Sequence, residues 1–173
     1  MEYHMKPLIL MITIFSLAFA LEVGQFPSTI VLEGERGGKI TGESFSSTLL
    51  KDKVHVLFYV DPDMKELNEH VSIALKAEKF DRAHYASVAI INMAATWLPN
   101  FAIASKLENK QKTYPDTIYV KDLQSVLVKE WELQDDSSNV LLFAKDGKLL
   151  FIKKGKLSVD ETTELIQTIK DNI

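Results

Sequence analysis

VLLFAKDGKLLFIKKGKLSVDE, the segment from Val140 to Glu161, carries the clearest structural pattern in this 173-residue chain. It holds two apolar runs joined by Lys145–Lys148 (KDGK), and an Asp-Gly pair between such runs is typical of a β-hairpin turn. Ser158 then stands three residues before Glu161, which predicts a capping box at the start of a last helix. The chain is therefore expected to end in a strand, a turn, a strand and a helix.

Two longer apolar segments further upstream predict the centre of a sheet. Val54–Val60 (VHVLFYV) and Tyr85–Met93 (YASVAIINM) are nearly continuous runs of apolar or β-favouring residues, as expected for strands buried on both faces. Apolar residues at helical spacing follow each run, after Asp61-Pro62-Asp63 in the first case and over Leu98–Lys110 in the second. In the second helix this spacing assigns Phe101 to the apolar side, with Ile103, Ala104 and Leu107. Thr117–Val120 predicts a further strand of the same sheet.

The remaining segments complete the predicted architecture. Ser125–Trp131 (SVLVKEW) fits either a strand or a short helical turn. Near the start, Thr29–Glu33 and Lys39–Gly42 enclose several glycines and predict two short strands joined by a glycine-rich turn, an N-terminal β-hairpin extension. Together the elements predict an α/β fold, with a central mixed sheet flanked by helices on both faces.

The first twenty residues have the pattern of a signal peptide. Lys6 precedes the apolar run Leu8–Phe19, and Ala18-Phe19-Ala20 has the small-x-small form that signal peptidase accepts. The run has 12 residues, whereas a membrane-spanning helix takes roughly 20. We therefore expect residues 1–20 to be cleaved and residues 21–173 to form a single exported domain, with no stable membrane insertion after cleavage. The alternative is an uncleaved membrane anchor.

Composition narrows the classes of function. The formal net charge is −4, and no basic cluster is longer than Lys153-Lys154, so a nucleic-acid-binding surface is not expected. The chain contains no cysteine, which excludes disulfides, a thiolate nucleophile and cysteine-ligated zinc. His55, His70 and His84 lack the spacing of known zinc motifs. Neither a metal nor a cofactor is therefore expected.

Three longer segments, together with the order of the elements, carry a resemblance to a known family. They are GGKITGESFSSTLLKDKVHVL (Gly37–Leu57), LENKQKTYPDTIYVKD (Leu107–Asp122) and WELQDDSSNVLLFAKDGKLLFIKKGKLS (Trp131–Ser158). In these segments the chain resembles the YtfJ family of bacterial periplasmic proteins, in the thioredoxin-like superfamily. The resemblance extends from about Glu33 to Lys170. It implies a thioredoxin-like fold and a periplasmic location.

The resemblance also implies where thiol chemistry takes place in redox-active relatives. Those relatives have a Cys-x-x-Cys motif between the first core strand and its helix, a region that corresponds here to Asp61–Glu66 (DPDMKE). They have a cis-proline opposite the motif, at the position of Ser138 in this chain. Because both features are absent, the chain is not expected to be a thiol oxidoreductase, an isomerase or a peroxidase.

The two replaced loops are expected to face each other at the carboxyl end of the sheet, where open α/β folds bind ligands. This arrangement would bring Asp61 and Asp63 near Ser137 and Ser138, and Trp97 follows a core strand at the same end. Carboxylates and hydroxyls suit a hard cation such as calcium, or a surface that docks a partner. The candidate binding residues are thus these five, and no catalytic or metal-ligating residue is assigned.

The same residues also have a purely structural interpretation. Asp61 and Asp63 are typical caps of a helix, and Asp135, Asp136 and Ser137 form an ordinary solvated loop. Trp97 is then a core packing residue, as most tryptophans are.

Two functions are consistent with these patterns. The first is a periplasmic thioredoxin-like protein without redox cysteines, which acts as a non-enzymatic binding or accessory protein of the cell envelope and binds a periplasmic protein partner. The second is an enzyme that uses carboxylates or a bound cation at the former redox site. The second function requires a carboxylate with a raised pKa or a bound metal.

Overall fold

The computed structural model describes residues 21–173, so the predicted signal peptide lies outside the described residues. The strands are β1 (Val31–Leu32), β2 (Gly37–Lys39), β3 (Phe45–Ser46), β4 (Val54–Val60), β5 (Tyr85–Asn92), β6 (Thr117–Asp122), β7 (Ser138–Phe143) and β8 (Leu149–Lys154). The helices are α1 (Glu69–Glu78), α2 (Asn100–Thr113), α3 (Val126–Trp131) and α4 (Val159–Asn172). None of these helices is long and apolar enough to cross a membrane.

Six of the strands form one mixed sheet in the order β2-β6-β5-β4-β7-β8. Strands β4, β5 and β6 are parallel, whereas β2, β7 and β8 run antiparallel to the strands they join. Val54, Val56 and Leu57 of β4 are fully buried, because both faces of the sheet are covered there. The predicted central mixed sheet is confirmed.

Helices cover both faces of this sheet, as predicted. On one face, Val71 of α1 and Leu165 of α4 share an apolar cluster with Val140 of β7. Helix α2 packs through Leu107 beside Tyr119 of β6. On the other face, α3 and the N-terminal segment close a larger cluster, which includes Leu32, Leu57, Leu127, Trp131 and Phe143.

The N-terminal β extension is present, but its pairing differs from the predicted hairpin. Strand β1 pairs with β3, with Val31 opposite Ser46, whereas β2 pairs with β6 and forms an edge of the main sheet. Gly37 permits this close approach, since its φ is +129° and an added Cβ would lie 1.9 Å from the Lys121 carbonyl oxygen. Strands β1 and β2, which were predicted to pair with each other, therefore belong to two different sheets.

Local chemistry sets most of the helix boundaries. The Ser158 hydroxyl accepts the Glu161 N–H at 3.1 Å and the Glu161 carboxylate accepts the Ser158 N–H at 2.7 Å, so the predicted capping box is present. The segment Ser125–Trp131, which fitted a strand or a helical turn, contains helix α3. After β4, Pro62–Met64 form only one turn of 3₁₀ helix, and α1 begins later than the Asp-Pro-Asp pattern predicts.

The described chain begins beside the amino end of the parallel strands. The Gly24 N–H donates to the Leu149 carbonyl oxygen at 2.7 Å, and the Leu149 N–H donates to the Gln25 carbonyl oxygen at 2.9 Å. Leu149 is the first residue of β8, and Leu21 packs against the same core. The start of the described chain and Val60, the last residue of β4, therefore lie at opposite ends of the sheet.

Candidate functional site

The loop after β4 meets the segment that leads into β7, at the carboxyl end of the parallel strands. The Asp61 N–H donates to the Ser137 carbonyl oxygen at 2.9 Å, and Val60 pairs with Ser138 across the two strands. The structure thus brings Asp61, Ser137 and Ser138 together, as expected from the topology.

Asp61 is held inside this junction, with only 3% of its surface exposed. Its Oδ1 accepts the Asp63 N–H at 2.8 Å and so caps the 3₁₀ turn. Burial raises the pKa of Asp61 above its ordinary value; the hydrogen bond from Asp63 opposes the rise, and the negative charges of Asp63 and Asp136 add to it. This carboxylate is therefore buried, acts as a cap and has a perturbed pKa.

Ser138 is buried and bound by a side chain that the sequence patterns did not single out. The Asn68 amide nitrogen donates to the Ser138 carbonyl oxygen at 3.1 Å, to the Ser138 hydroxyl at 3.2 Å and to the Gly155 carbonyl oxygen at 2.9 Å. The Asn68 side-chain oxygen accepts the Leu157 N–H at 2.9 Å. Asn68 therefore ties α1 to β7 and to the turn before α4. An asparagine one residue before a helix is a cap signal, and here its groups are used across the fold.

Asp63 and Trp97 lie on the outside of the same end. The Thr96 hydroxyl donates to Asp63 Oδ2 at 2.9 Å, which joins the loop after β4 to the loop after β5. Trp97 is 87% exposed, so its interpretation as a core residue is wrong. Phe101, which the helical spacing assigned to the apolar side of α2, is 78% exposed, and Met64 is 41% exposed. We refer to Met64, Trp97 and Phe101 as the Trp97 surface.

Four acidic side chains are exposed in the loop after β4 and in the segment before β7. They are Asp63, Glu66, Asp135 and Asp136. The Asn92 amide nitrogen donates to Asp135 Oδ1 at 2.9 Å, which fixes one of them to the end of β5. Among residues 21–173, none of these four carboxylates belongs to an ion pair.

A buried polar layer beneath this end supports α3. Asp122 Oδ2 accepts the Tyr59 hydroxyl at 3.0 Å and the Leu127 N–H at 3.1 Å. The Ser125 hydroxyl donates to Asn92 Oδ1 at 2.9 Å. Burial and the adjacent Asp122 charge raise the pKa of Tyr59, so its hydroxyl stays a donor. Because these polar groups form hydrogen bonds with one another, we interpret them as structural residues that hold α3 in place.

The described residues contain no group of three or more histidine, aspartate or glutamate side chains placed to hold a metal ion. His55 Nδ1 is hydrogen-bonded to the Lys53 carbonyl oxygen at 2.9 Å, and His70 Nε2 to the Leu157 carbonyl oxygen at 3.0 Å. A cavity of about 80 Å³ lies near Phe26 and Gly147, far from the carboxyl end.

The sequence is similar to a protein-family model and to two bacterial proteins. Residues 29–172 match the family described as "Bacterial protein of unknown function (YtfJ_HI0045)". The "Uncharacterized protein YtfJ" of Escherichia coli (strain K12) is 27% identical over 132 residues, which cover 74% of this chain and 71% of that protein. An "Uncharacterized protein" of Haemophilus influenzae is 27% identical over 135 residues, which cover 73% of this chain and 71% of that protein.

A solved structure shows the fold. The thioredoxin domain of a thiol-disulfide oxidoreductase from Bacteroides vulgatus superposes with a TM-score of 0.62 at 14% identity, covering 89% of this chain and 100% of that domain. The likeness confirms the predicted thioredoxin-like fold, and the absence of cysteine removes thiol-disulfide exchange from this version of it. The chain belongs to the YtfJ family of bacterial proteins.

Proposed function

We propose that this protein is a periplasmic, non-enzymatic binding protein of the cell envelope, which docks a partner protein on the Trp97 surface. The signal-peptide pattern of residues 1–20 supports export, and the lack of cysteine supports a scaffold that is used without its thiol chemistry. The single observation that carries the proposal is the 87% exposure of Trp97 beside the loop that replaces the redox motif.

Exposure of this kind is unusual for a side chain that gains so much by burial. A tryptophan buries a large apolar area when it is covered, and tryptophan is enriched among the residues that dominate protein–protein binding. Phe101 and Met64 are also exposed, and the Thr96–Asp63 hydrogen bond joins the loop that carries Trp97 to the loop after β4. An exposed aromatic group of this size is the kind of anchor that a partner covers.

The candidate residues from the sequence take different parts in this proposal. Asp63 and Trp97 are exposed and would contact the partner. Asp61, Ser137 and Ser138 are buried and would position the loops that carry the contacts. The proposed interface thus has an exposed layer that binds and an inner layer that supports it.

Site-specific photo-crosslinking in living cells tests this function. The photoreactive amino acid p-benzoylphenylalanine is placed at Trp97, and for comparison at Phe26, an exposed aromatic at the opposite end of the sheet. We expect a discrete periplasmic adduct from position 97 and none from position 26. The same adducts from both positions, or none from position 97 in exported protein, would overturn the proposal.

One observation favours the alternative of carboxylate chemistry: burial raises the pKa of Asp61. Titration of the Asp61 carboxyl by NMR, together with metal analysis of protein purified without chelators, tests this alternative. An Asp61 carboxyl that titrates normally in metal-free protein would end it. A bound metal that is lost in Asp61→Asn would establish it.

A further inference from the structure

We infer that the cavity near Phe26 and Gly147 binds a short-chain organic acid, with the aliphatic group against its apolar lining and the carboxylate beside Lys51. The cavity lies near the start of β4, since the lining residue Phe143 pairs with His55. The inference therefore goes beyond the docking function proposed for the Trp97 surface and does not depend on it.

The cavity lies where the N-terminal segment, the turn after β3 and the turn between β7 and β8 meet. The Trp131 indole N–H donates to the Ser28 carbonyl oxygen at 3.0 Å. The Ser47 hydroxyl oxygen accepts the Ile30 N–H at 2.9 Å. These two bonds attach the N-terminal segment to α3 on one side and to the turn after β3 on the other. The cavity is therefore enclosed by segments that the fold holds together.

One part of the lining is apolar and contains two aromatic rings of the core. Trp131 and Phe143 pack against each other with 5.9 Å between their ring centres, and Leu50 and Phe26 continue this part. The volume of about 80 Å³ is roughly half that of a 150 Å³ apolar cavity that accommodates benzene. A hydrocarbon group of about four carbon atoms is therefore suitable in size.

The other part of the lining is polar. Among the described residues that line the cavity, the one charged side chain is Lys51. Its stem lies along Gly147, since Lys51 Cε would be 3.1 Å from a Cβ added there. Within residues 21–173 the Lys51 ammonium group belongs to no ion pair. The Ser47 hydroxyl accepts a hydrogen bond and still has its own proton to donate. A carboxylate at this position would gain charge-assisted hydrogen bonds.

The acidic residues next to the lining do not cancel this preference. Four of them adjoin lining residues in the sequence, namely Asp52, Glu130, Glu132 and Asp146, and none of the four lines the cavity. Asp146 Oδ1 accepts the Lys148 N–H at 2.9 Å, and Glu130 pairs with Arg36. The lining itself thus offers a cation and hydroxyl groups, but no carboxylate that would bind an amine.

Three small molecules separate the apolar and polar contributions. Isovalerate has an aliphatic group and a carboxylate, acetate lacks the larger aliphatic group, and 3-methylbutan-1-ol lacks the charge. The chain has two tryptophans, so two indole N–H signals are expected in ¹H–¹⁵N NMR spectra. The Trp131 signal reports on the cavity, whereas that of Trp97 reports on an exposed ring at the carboxyl end of the sheet.

We expect isovalerate to shift the Trp131 and Gly147 signals in a saturable way while the Trp97 signal stays in place. A Kd of about 1 mM is realistic for a ligand of about seven non-hydrogen atoms. Acetate and 3-methylbutan-1-ol should each bind at least about fivefold more weakly, because each lacks one of the two contributions. The titrations are made at constant pH and ionic strength.

Matched lysine variants test the position of the carboxylate. Lys51→Met removes the charge but keeps a long side chain, so it should weaken isovalerate binding by at least about fivefold and leave the alcohol bound as before. Retained binding of the alcohol shows that the cavity persists in this variant. The control Lys145→Met removes an exposed lysine of the β7–β8 turn that does not line the cavity, and it should bind isovalerate like the wild type.

Four results would overturn the inference. The first is the absence of a saturable Trp131 shift, as expected for a cavity that holds only water, and the second is an equal shift of the Trp97 signal. The third is equal affinity for isovalerate and 3-methylbutan-1-ol, and the fourth is wild-type affinity for isovalerate in Lys51→Met. Crosslinking at position 97 reports on the other end of the sheet, so the failure of one proposal is distinguishable from the failure of the other.

Discussion

The Asn68 amide nitrogen donates to two atoms of Ser138, the backbone carbonyl oxygen at 3.1 Å and the side-chain hydroxyl at 3.2 Å. Both residues are almost fully buried. The resemblance to redox-active thioredoxin-like proteins implies that Ser138 occupies the position of their cis-proline, which has no N–H and no hydroxyl. The contact between Asn68 and the Ser138 hydroxyl could not form with a proline at this position.

Replacing Asn68 should cost far more stability than replacing its partner. Asn68→Ala leaves the Leu157 N–H and three acceptor contacts without their partner in a buried site, so we expect a loss of about 1–3 kcal/mol in the free energy of unfolding. Ser138→Ala removes one acceptor and should cost less than about 1 kcal/mol. Urea unfolding of both variants measures the difference. Equal losses would show that Asn68 does not connect the three segments.

The two tryptophans should separate binding from stability. Trp131 is 1% exposed in the core, so Trp131→Ala should cost about 3–5 kcal/mol in the free energy of unfolding. Trp97→Ala should change it by less than about 0.5 kcal/mol, because the side chain is exposed. The measurement is again urea unfolding, followed by tyrosine and far-UV signals. A large loss in Trp97→Ala would mean that Trp97 is needed to hold its loop.

Asp61 should make the protein less stable as the pH rises. Its pKa is raised in the folded state, so its favourable contribution is complete below its ordinary value and is lost as the pH rises through the folded pKa. Asp61→Asn keeps an oxygen that accepts the Asp63 N–H but carries no charge. We expect this variant to be more stable than the wild type at pH 7, with the advantage shrinking toward pH 4.

Chemical unfolding at several pH values between 3 and 8 tests this behaviour. Glu66→Gln is the control, since Glu66 is exposed on the same loop and its charge is not among those that shift the pKa of Asp61. The prediction is contradicted if Asp61→Asn is less stable than the wild type at neutral pH, or if both variants have the same pH profile.

Gly37 should be irreplaceable in the β2 edge. Gly37→Ala puts a Cβ 1.9 Å from the Lys121 carbonyl oxygen, so β2 must move away from β6 at a cost of about 3 kcal/mol or more. Gly34→Ala is the matched control, because Gly34 has φ +55° but nothing within 4 Å of an added Cβ, and it should cost only about 1 kcal/mol. Amide exchange of residues 117–122 reports whether β2 still covers β6. Protection equal to wild type in Gly37→Ala would refute the argument.

The sequence predicts those elements whose signals are local. The Asp-Gly turn and the Ser158–Glu161 capping box lie within a few residues of the structures they form, and both are present. The runs that form β4 and β5 were recognisable because a strand buried on both faces needs no polar side. These signals, with the order of the elements, were sufficient for the fold.

Long-range pairing could not be predicted in the same way. The pairing of β2 with β6 depends on contacts between residues about 80 positions apart in the chain. The need for glycine at position 37 becomes clear only from the structure, where the backbone of β6 lies 1.9 Å from the position of an added Cβ. At the site, the topology correctly placed Asp61 beside Ser137. It did not reveal Asn68, and helical spacing wrongly assigned Phe101 to the apolar side of α2 because exposure depends on what packs opposite.

The hydrogen bonds between Gly24, Gln25 and Leu149 determine how the molecule can be presented to a surface. They hold the start of the described chain at one end of the sheet, and the seven residues of β4 separate that end from the Trp97 surface by roughly 20 Å. A protein attached through its leading end, whether to a lipid bilayer or to a sensor chip, would therefore point Trp97 away from the support. Immobilisation at that end leaves the proposed docking surface around Trp97 unobstructed.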